Sequence, residues 1–180
     1  LGDSIQDINQ TQLHKPVKIE VVEEAANLEL IEQIAYKVDP ARKGPLLRYL
    51  IKTEKMQQVL VFTSSTRTAD NLVVKLLKNG IQAAAIHGQK GQQIRTEVLH
   101  KFKAGKLQVM VTTDLLARGI DIQLLPYVIN FDLPRSPKDY VHRIGRTGRA
   151  EATGKAISLI TPEDEHHFRI IQKKMGKRVE

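Results

Sequence analysis

Apolar and polar positions alternate between two periods along this chain, and the alternation predicts a succession of strands and helices. Residues 58–63 (QVLVFT), 83–86 (AAAI), 107–112 (LQVMVT), 127–131 (YVINF) and 155–160 (KAISLI) are short apolar runs, the first of them rich in β-branched residues. They are too short for helices and suit strands buried on both faces. Residues 17–22 (VKIEVV), opened by Pro16, alternate more plainly and suit an edge strand. Between these runs the apolar spacing changes to three and four. Helices are predicted over 27–36, with Asn27 as cap and Leu28, Ile31, Ile34 and Ala35 on one face, and over 42–53, with Leu46, Leu47, Leu50 and Ile51 inward. A third spans 66–79 (Leu72, Val73, Leu76, Leu77) and stops at Gly80. A fourth spans 92–103 (Ile94, Val98, Leu99, Phe102) and stops at Ala104 and Gly105. A short helical turn is expected over 114–117 and a helix over 137–144, with Pro137 near its first position. Thr161, Pro162 and Asp164 read as the capped start of a last helix.

Strands alternating with helices predict βαβ units and a mostly parallel sheet covered by helices on both faces. Ligands of such sheets sit beyond the carboxyl ends of the strands. Residues 63–65 (TSS), 87–88 (HG) and 112–114 (TTD) all fall at those ends.

Composition narrows the chemistry. The chain of 180 residues is 41% hydrophobic, enough for one ordinary domain with a real core. No run of about 18 apolar residues predicts a membrane span, and the start lacks the layout of a signal peptide. The chain begins at Leu1 rather than methionine, so an excised piece of a longer protein is expected. Without cysteine it has no disulfide or thiolate metal site, which suits a cytoplasmic setting. A net charge of +8 favours a polyanion, although solubility alone accounts for such a charge. Aromatic residues are only 4%, so the phosphate backbone, rather than stacked bases, is the expected handle on a nucleic acid.

The sharpest signal is YVHRIGRTGR at residues 140–149. Arg143, Arg146 and Arg149 recur every third residue, with glycines between that permit close backbone approach. Three permanently charged forks suit phosphate oxygens, though spacing alone would equally describe a solvated basic helix end. HRIGRTGR resembles motif VI of the DEAD-box RNA helicases of superfamily two. VTTDLLARGID at 111–121 resembles motif V, VLVFTSS at 59–65 resembles motif IV, and QQIR at 92–95 resembles the QxxR motif. Together they resemble, across roughly residues 17–175, the second of the family's two RecA-like domains. The RhlE-type bacterial branch is the most similar, on residues such as Val38, Asp39, Arg42 and Lys43 and the stretches 58–63 and 85–88; residues 89–91 (QKG) depart from it slightly.

That resemblance implies an α/β fold, a RecA-like parallel β-sheet flanked by helices on both faces. It implies arginine fingers at Arg146 and Arg149 that stabilise charge on a transferred γ-phosphoryl group. Gly119 and Asp121 would join them in the nucleotide site, with Asp121 at the ribose. Ser64, Gly88, Gln92, Arg95 and Thr113 are the implied RNA contacts. Arg118, His142 and Arg143 would link motifs V and VI to neighbouring motifs and the partner domain. Gln92 and Arg95 also share the N-terminal end of one predicted helix, where free N–H groups suit an anion. Histidine as general base is not implied, because in this family a carboxylate of the other domain orients the attacking water.

Two look-alikes are set aside. Residues 164–167 (DEHH) superficially resemble an acidic helicase box, but they follow motif VI and open a capped helix. The adjacent His166 and His167 point to different helix faces, and no further ligand cluster accompanies them, so no metal site is expected.

No G-x-x-x-x-G-K-[ST] occurs in the 180 residues, nor does the acidic Mg²⁺ box. ATP with Mg²⁺ is therefore expected to be held mainly by a preceding RecA-like domain. That domain and RNA are the expected partners, and no membrane is expected among them. The expected division is a linker over 1–15, the RecA-like domain over 16–175 and a basic end over 176–180. The expected function is the second helicase domain of an ATP-dependent RNA helicase, inactive as an ATPase by itself. Competing readings are an RNA-binding scaffold without catalysis, kept open by Lys173, Lys174, Lys177 and Arg178, and the second domain of a DNA helicase.

Overall fold

A computed structural model of the chain describes residues 31–113, 125–144 and 154–174. Six strands are present among them: β1 (Ile31–Lys37), β2 (Val59–Phe62), β3 (Ala83–Ile86), β4 (Val109–Thr112), β5 (Tyr127–Asn130) and β6 (Gly154–Ile160). They form one sheet in the order β1-β6-β5-β2-β4-β3, and every pairing is parallel. The helices are α1 (Lys43–Thr53), α2 (Thr66–Lys78), α3 (Gln92–Lys103), α4 (Pro137–Ile144) and α5 (Glu165–Lys174).

The period of two within each strand sends alternate side chains to opposite layers. Val59 and Val61 join Val109, Val111 and Ile129 beneath Leu46, Leu47, Leu50 and Ile51 of α1 and Ala69, Leu72 and Leu76 of α2. Leu60 and Phe62 face the other way, with Met110, Ile86 and Val128, and meet Phe102 of α3. On the same side, Ala156 and Ile160 pack with Tyr140 and Ile144 of α4 and Phe168 and Ile171 of α5. β2 and β4 are buried throughout, which explains their continuous apolar sequences.

Helix ends follow local chemistry. Ser65 caps α2, its hydroxyl accepting the Thr68 N–H at 3.1 Å. Three helices close with the paired bonds of a Schellman motif. In α2 the Ile81 N–H reaches the Leu76 carbonyl at 3.0 Å and the Gly80 N–H reaches that of Leu77 at 3.1 Å. In α3 the Lys106 N–H reaches Lys101 and the Gly105 N–H reaches Phe102. Gly80 and Gly105 take the left-handed conformation this needs, with φ of 79° and 77°. α1 closes the same way, Met56 to Ile51 and Lys55 to Lys52, but Lys55 occupies the left-handed position with φ 51°. Before α5, a 3-10 turn at Pro162–Asp164 is held by Asp164 Oδ2, which accepts from the Thr161 N–H at 3.1 Å and hydroxyl at 2.8 Å.

The helix expected over 27–36 is corrected where the structure describes it, because residues 31–37 form strand β1. Ile31 and Ala35 pack toward α4 and α5, while Ile34 joins the core beneath α1 and α2. A seven-residue ladder with β6, from Ile31 beside Gly154 to Lys37 beside Ile160, outweighs the local helical spacing. The strand expected over 17–22 and the helical turn over 114–117 lie outside the described residues. Leu77 and Ile94, expected to face inward, are exposed, and Ala69 takes the inner stripe of α2 instead.

Candidate nucleic-acid interface

Because all six strands are parallel, their carboxyl ends share one edge. The order β3-β4-β2-β5 sets four consecutive loops side by side there, at strand spacings of about 4.8 Å. Gly88 follows β3, Thr113 follows β4, Ser64 follows β2 and Asp132 follows β5. Ser64 and Gly88 are exposed and Thr113 is half-buried.

Sequence reasoning missed Asp132, which organises the centre of this edge. Its Oδ1 accepts from Lys43 Nζ at 2.8 Å. Its Oδ2 accepts from the Ser64 N–H at 2.8 Å and hydroxyl at 3.1 Å. Burial alone would push the carboxyl upward; the Lys43 ammonium and the Ser64 donors outweigh it and hold the pKa below the ordinary value. Asp132 is therefore a fixed anion that orients the motif IV loop. Lys43 also lies over the Phe131 ring, 5.0 Å from its centroid.

The start of motif VI is anchored to the same point. Arg143 is only 2% exposed. Its Nη1 donates to Asn130 Oδ1 at 3.0 Å and to the Asp132 carbonyl, and its guanidinium lies 5.0 Å from the Phe62 ring centroid. Asn130 in turn donates to the Ser158 hydroxyl at 3.0 Å. One turn earlier on α4, the buried Tyr140 hydroxyl donates to Gln33 Oε1 at 3.0 Å. Burial pushes the Tyr140 phenol well up, which keeps the proton in that bond. These contacts tie α4 to β1, β2, β5 and β6. His142, between Tyr140 and Arg143, points outward and is exposed.

A second brace holds the loop that carries Gly88. His87 is buried, and its Nδ1 accepts the Gln89 N–H at 3.2 Å. Nε2 therefore carries the proton and donates to Asp70 Oδ1 at 2.9 Å. Lys90 reaches the same oxygen at 3.3 Å, and the two donors, His87 first, hold the Asp70 carboxyl below its ordinary value. A side chain at position 88 would meet open space, so nothing in the fold itself demands glycine there. The loop ends at Gly91, the N-cap of α3, which offers no side chain to the helix's first N–H groups. Gln92 is exposed at that end. Arg95, one turn on, has a buried Nε–H without a hydrogen-bond partner among the described residues. A donor of that kind beside an uncapped helix start suits a phosphate oxygen.

The other expected site residues, Arg118, Gly119, Asp121, Arg146 and Arg149, lie outside the described residues. The elements leading to them are described: β4 ends at Thr112 and α4 ends at Ile144.

A parallel α/β sheet with these four loops along its carboxyl edge is the architecture of a helicase second domain, and comparison with known proteins agrees. Residues 42–151 match the helicase conserved C-terminal domain, and the chain belongs to that family. More particularly, it is a C-terminal domain of the DEAD-box type. It is 38% identical over 180 residues to the ATP-dependent RNA helicase CshA of Listeria monocytogenes, covering 100% of this chain and 35% of the relative. It is 37% identical over 178 residues to the ATP-dependent RNA helicase cgh-1 of Caenorhabditis elegans, covering 99% and 41% respectively. Among solved structures it resembles a DEAD box protein from Methanococcus jannaschii, with a TM-score of 0.77 and 39% identity over 81% of this chain and 40% of that one. It also resembles the C-terminal domain of the DEAD-box protein Dbp5, with a TM-score of 0.76 and 33% identity over 83% of this chain and 88% of that one. The chain thus spans roughly two fifths or less of the length of these curated relatives.

Proposed function

We propose that this domain is the second half of an ATP-dependent RNA helicase of the DEAD-box type, and that it binds RNA through the carboxyl edge of its sheet. The observation that carries this reading is the placement of Ser64, Gly88 and Thr113 on adjacent loops of that edge, with Gln92 and an Arg95 Nε–H that has no partner among the described residues at the neighbouring helix start. RNA phosphates would meet hydroxyls, backbone N–H groups and one guanidinium there. Solved structures of Saccharomyces cerevisiae Dbp5 bound to RNA and ADP BeF3 are similar to this chain at 34% identity, which supports RNA as the partner.

In this reading a preceding RecA-like domain holds ATP with Mg²⁺. Residues 1–15 would be the linker to it, 16–175 the RecA-like domain and 176–180 a basic end. Arg146 and Arg149 would extend from the anchored end of α4 to the γ-phosphoryl group. Gly119 and Asp121 would meet the nucleotide's ribose side. Guanidinium forks for phosphate and a carboxylate for ribose hydroxyls are the donor set such a ligand calls for. His142, exposed beside the buried Arg143, would face the partner domain, with Arg143 and Arg118 holding the motifs in register. Resemblance to the RhlE-type branch, a bacterial group, accompanies a cytoplasmic placement. Among the described residues, no helix is long and apolar enough to cross a membrane.

The test is a salt titration of binding to a fluorescent single-stranded oligouridylate. Affinity should fall log-linearly with salt, with a slope of about −0.7 per phosphate contacted. Arg95→Ala should lower both affinity and slope. Binding that is flat across salt, or indifferent to Arg95, would oppose the reading.

A further inference from the structure

α1 and α2 run side by side on one face of the sheet, and between them lies a groove of about 440 Å³. Its apolar lining includes Pro45 and Phe131, both half-buried, with Leu72 buried behind them. Arg48, Lys75 and Lys78 also line it, and among the described residues no carboxylate does. None of these three cations forms an ion pair among the described residues, unlike Lys43, Lys90 and Lys155. The Arg48 guanidinium lies across Gly44, with Nη1 3.4 Å from where a Cβ would stand. The groove is therefore a trough with an apolar patch and three cations that have no ion pair among the described residues.

We infer that this groove docks a short acidic protein segment carrying one or two apolar side chains. Charge complementarity selects an anionic partner, and the apolar lining selects a peptide over RNA. A phosphate backbone has nothing to bury against Pro45 and Phe131, whereas leucine or phenylalanine side chains do. The groove also runs away from the carboxyl edge, along α2 from Thr68 to Asn79. That is a length of about 16 Å at the helical rise, room for about five residues of extended chain. The helix pair would thus serve a partner while the sheet edge remains open.

The experiment is a selection of random heptapeptides displayed on phage against the 180-residue chain, followed by anisotropy with the fluorescein-labelled winners. The expected winners combine aspartate or glutamate with leucine or phenylalanine. Their affinity should fall at least tenfold on Lys75→Glu/Lys78→Glu. It should fall comparably on Gly44→Leu, which fills the trough without changing its charge and favours the helix. Both variants should keep wild-type affinity for a ten-nucleotide oligouridylate. Winners that are not acidic, or that bind both variants unchanged, would overturn the proposal. So would a tenfold loss of oligouridylate binding on Lys75→Glu/Lys78→Glu, which would assign the groove to RNA. Failure of oligouridylate binding in the wild-type chain bears on the sheet edge alone.

Discussion

Lys43 donates to Asp132 across 89 positions of sequence, at 2.8 Å, with the side chains only 10% and 21% exposed. Through this pair the first turn of α1 fixes the loop after β5, which in turn holds Ser64. Asp132→Asn should cost about 3 kcal/mol of stability, because it leaves a part-buried ammonium uncompensated. Asp132→Asn/Lys43→Met should cost less than Asp132→Asn alone, since the orphaned charge is then gone. Urea unfolding of the three proteins checks this. A loss within about 0.5 kcal/mol for Asp132→Asn would reduce the pair to an ordinary surface contact.

The same carboxylate gives the acid limb a definite sign. Its folded pKa lies below the ordinary value of about 3.9. Its stabilisation is then complete above that value and is lost as pH falls through the folded pKa. The wild-type chain should therefore lose stability below about pH 4 more steeply than Asp132→Asn. Thermal midpoints measured from pH 7 down to pH 3 compare the two slopes. Parallel curves would mean that the ionised form gains nothing from folding.

Lys55 closes α1 in a conformation that suits glycine, with φ 51°. Lys55→Gly should raise stability by about 1 kcal/mol, because relief of the left-handed strain outweighs the added freedom of the unfolded chain. The expected rise in thermal midpoint is about 3 °C. A fall would show that the Lys55 side chain contributes more than its backbone costs.

Much of this architecture is legible in the sequence, for reasons that can be named. The boundaries of α2 and α3 follow from apolar spacing and from Gly80 and Gly105, which take the left-handed conformation their positions suggest. β2 and β4 announce themselves as continuous apolar runs because both of their faces are covered. β1 is obscured because one of its inward positions is Gln33, a buried amide whose partner, Tyr140, is 107 residues away. That polar residue hides the period of two and leaves a spurious helical stripe through Ile31, Ile34 and Ala35. The site divides the same way. Ser64, Gly88 and Thr113 stand out as motif residues next to strand ends, and Gln92 and Arg95 as motif residues at a helix start. Asp132 belongs to no local pattern, and its contact with Ser64 comes from the parallel order that brings β5 beside β2; its partner Lys43 is 89 positions away. A polar Asn130 closing an apolar run was the available clue to the buried network that anchors Arg143.

The central claim is that this domain completes a nucleotide site held by another. The most direct test joins the chain, through its native linker, to the preceding domain of the same protein and measures RNA-stimulated ATP hydrolysis. The account predicts no hydrolysis from the chain alone and activity in the joined protein. That activity should fall by about 10³-fold with Arg146→Ala or Arg149→Ala, while RNA affinity stays within about twofold. Hydrolysis that is indifferent to both substitutions, or absent although both parts are folded and RNA is bound, would contradict it.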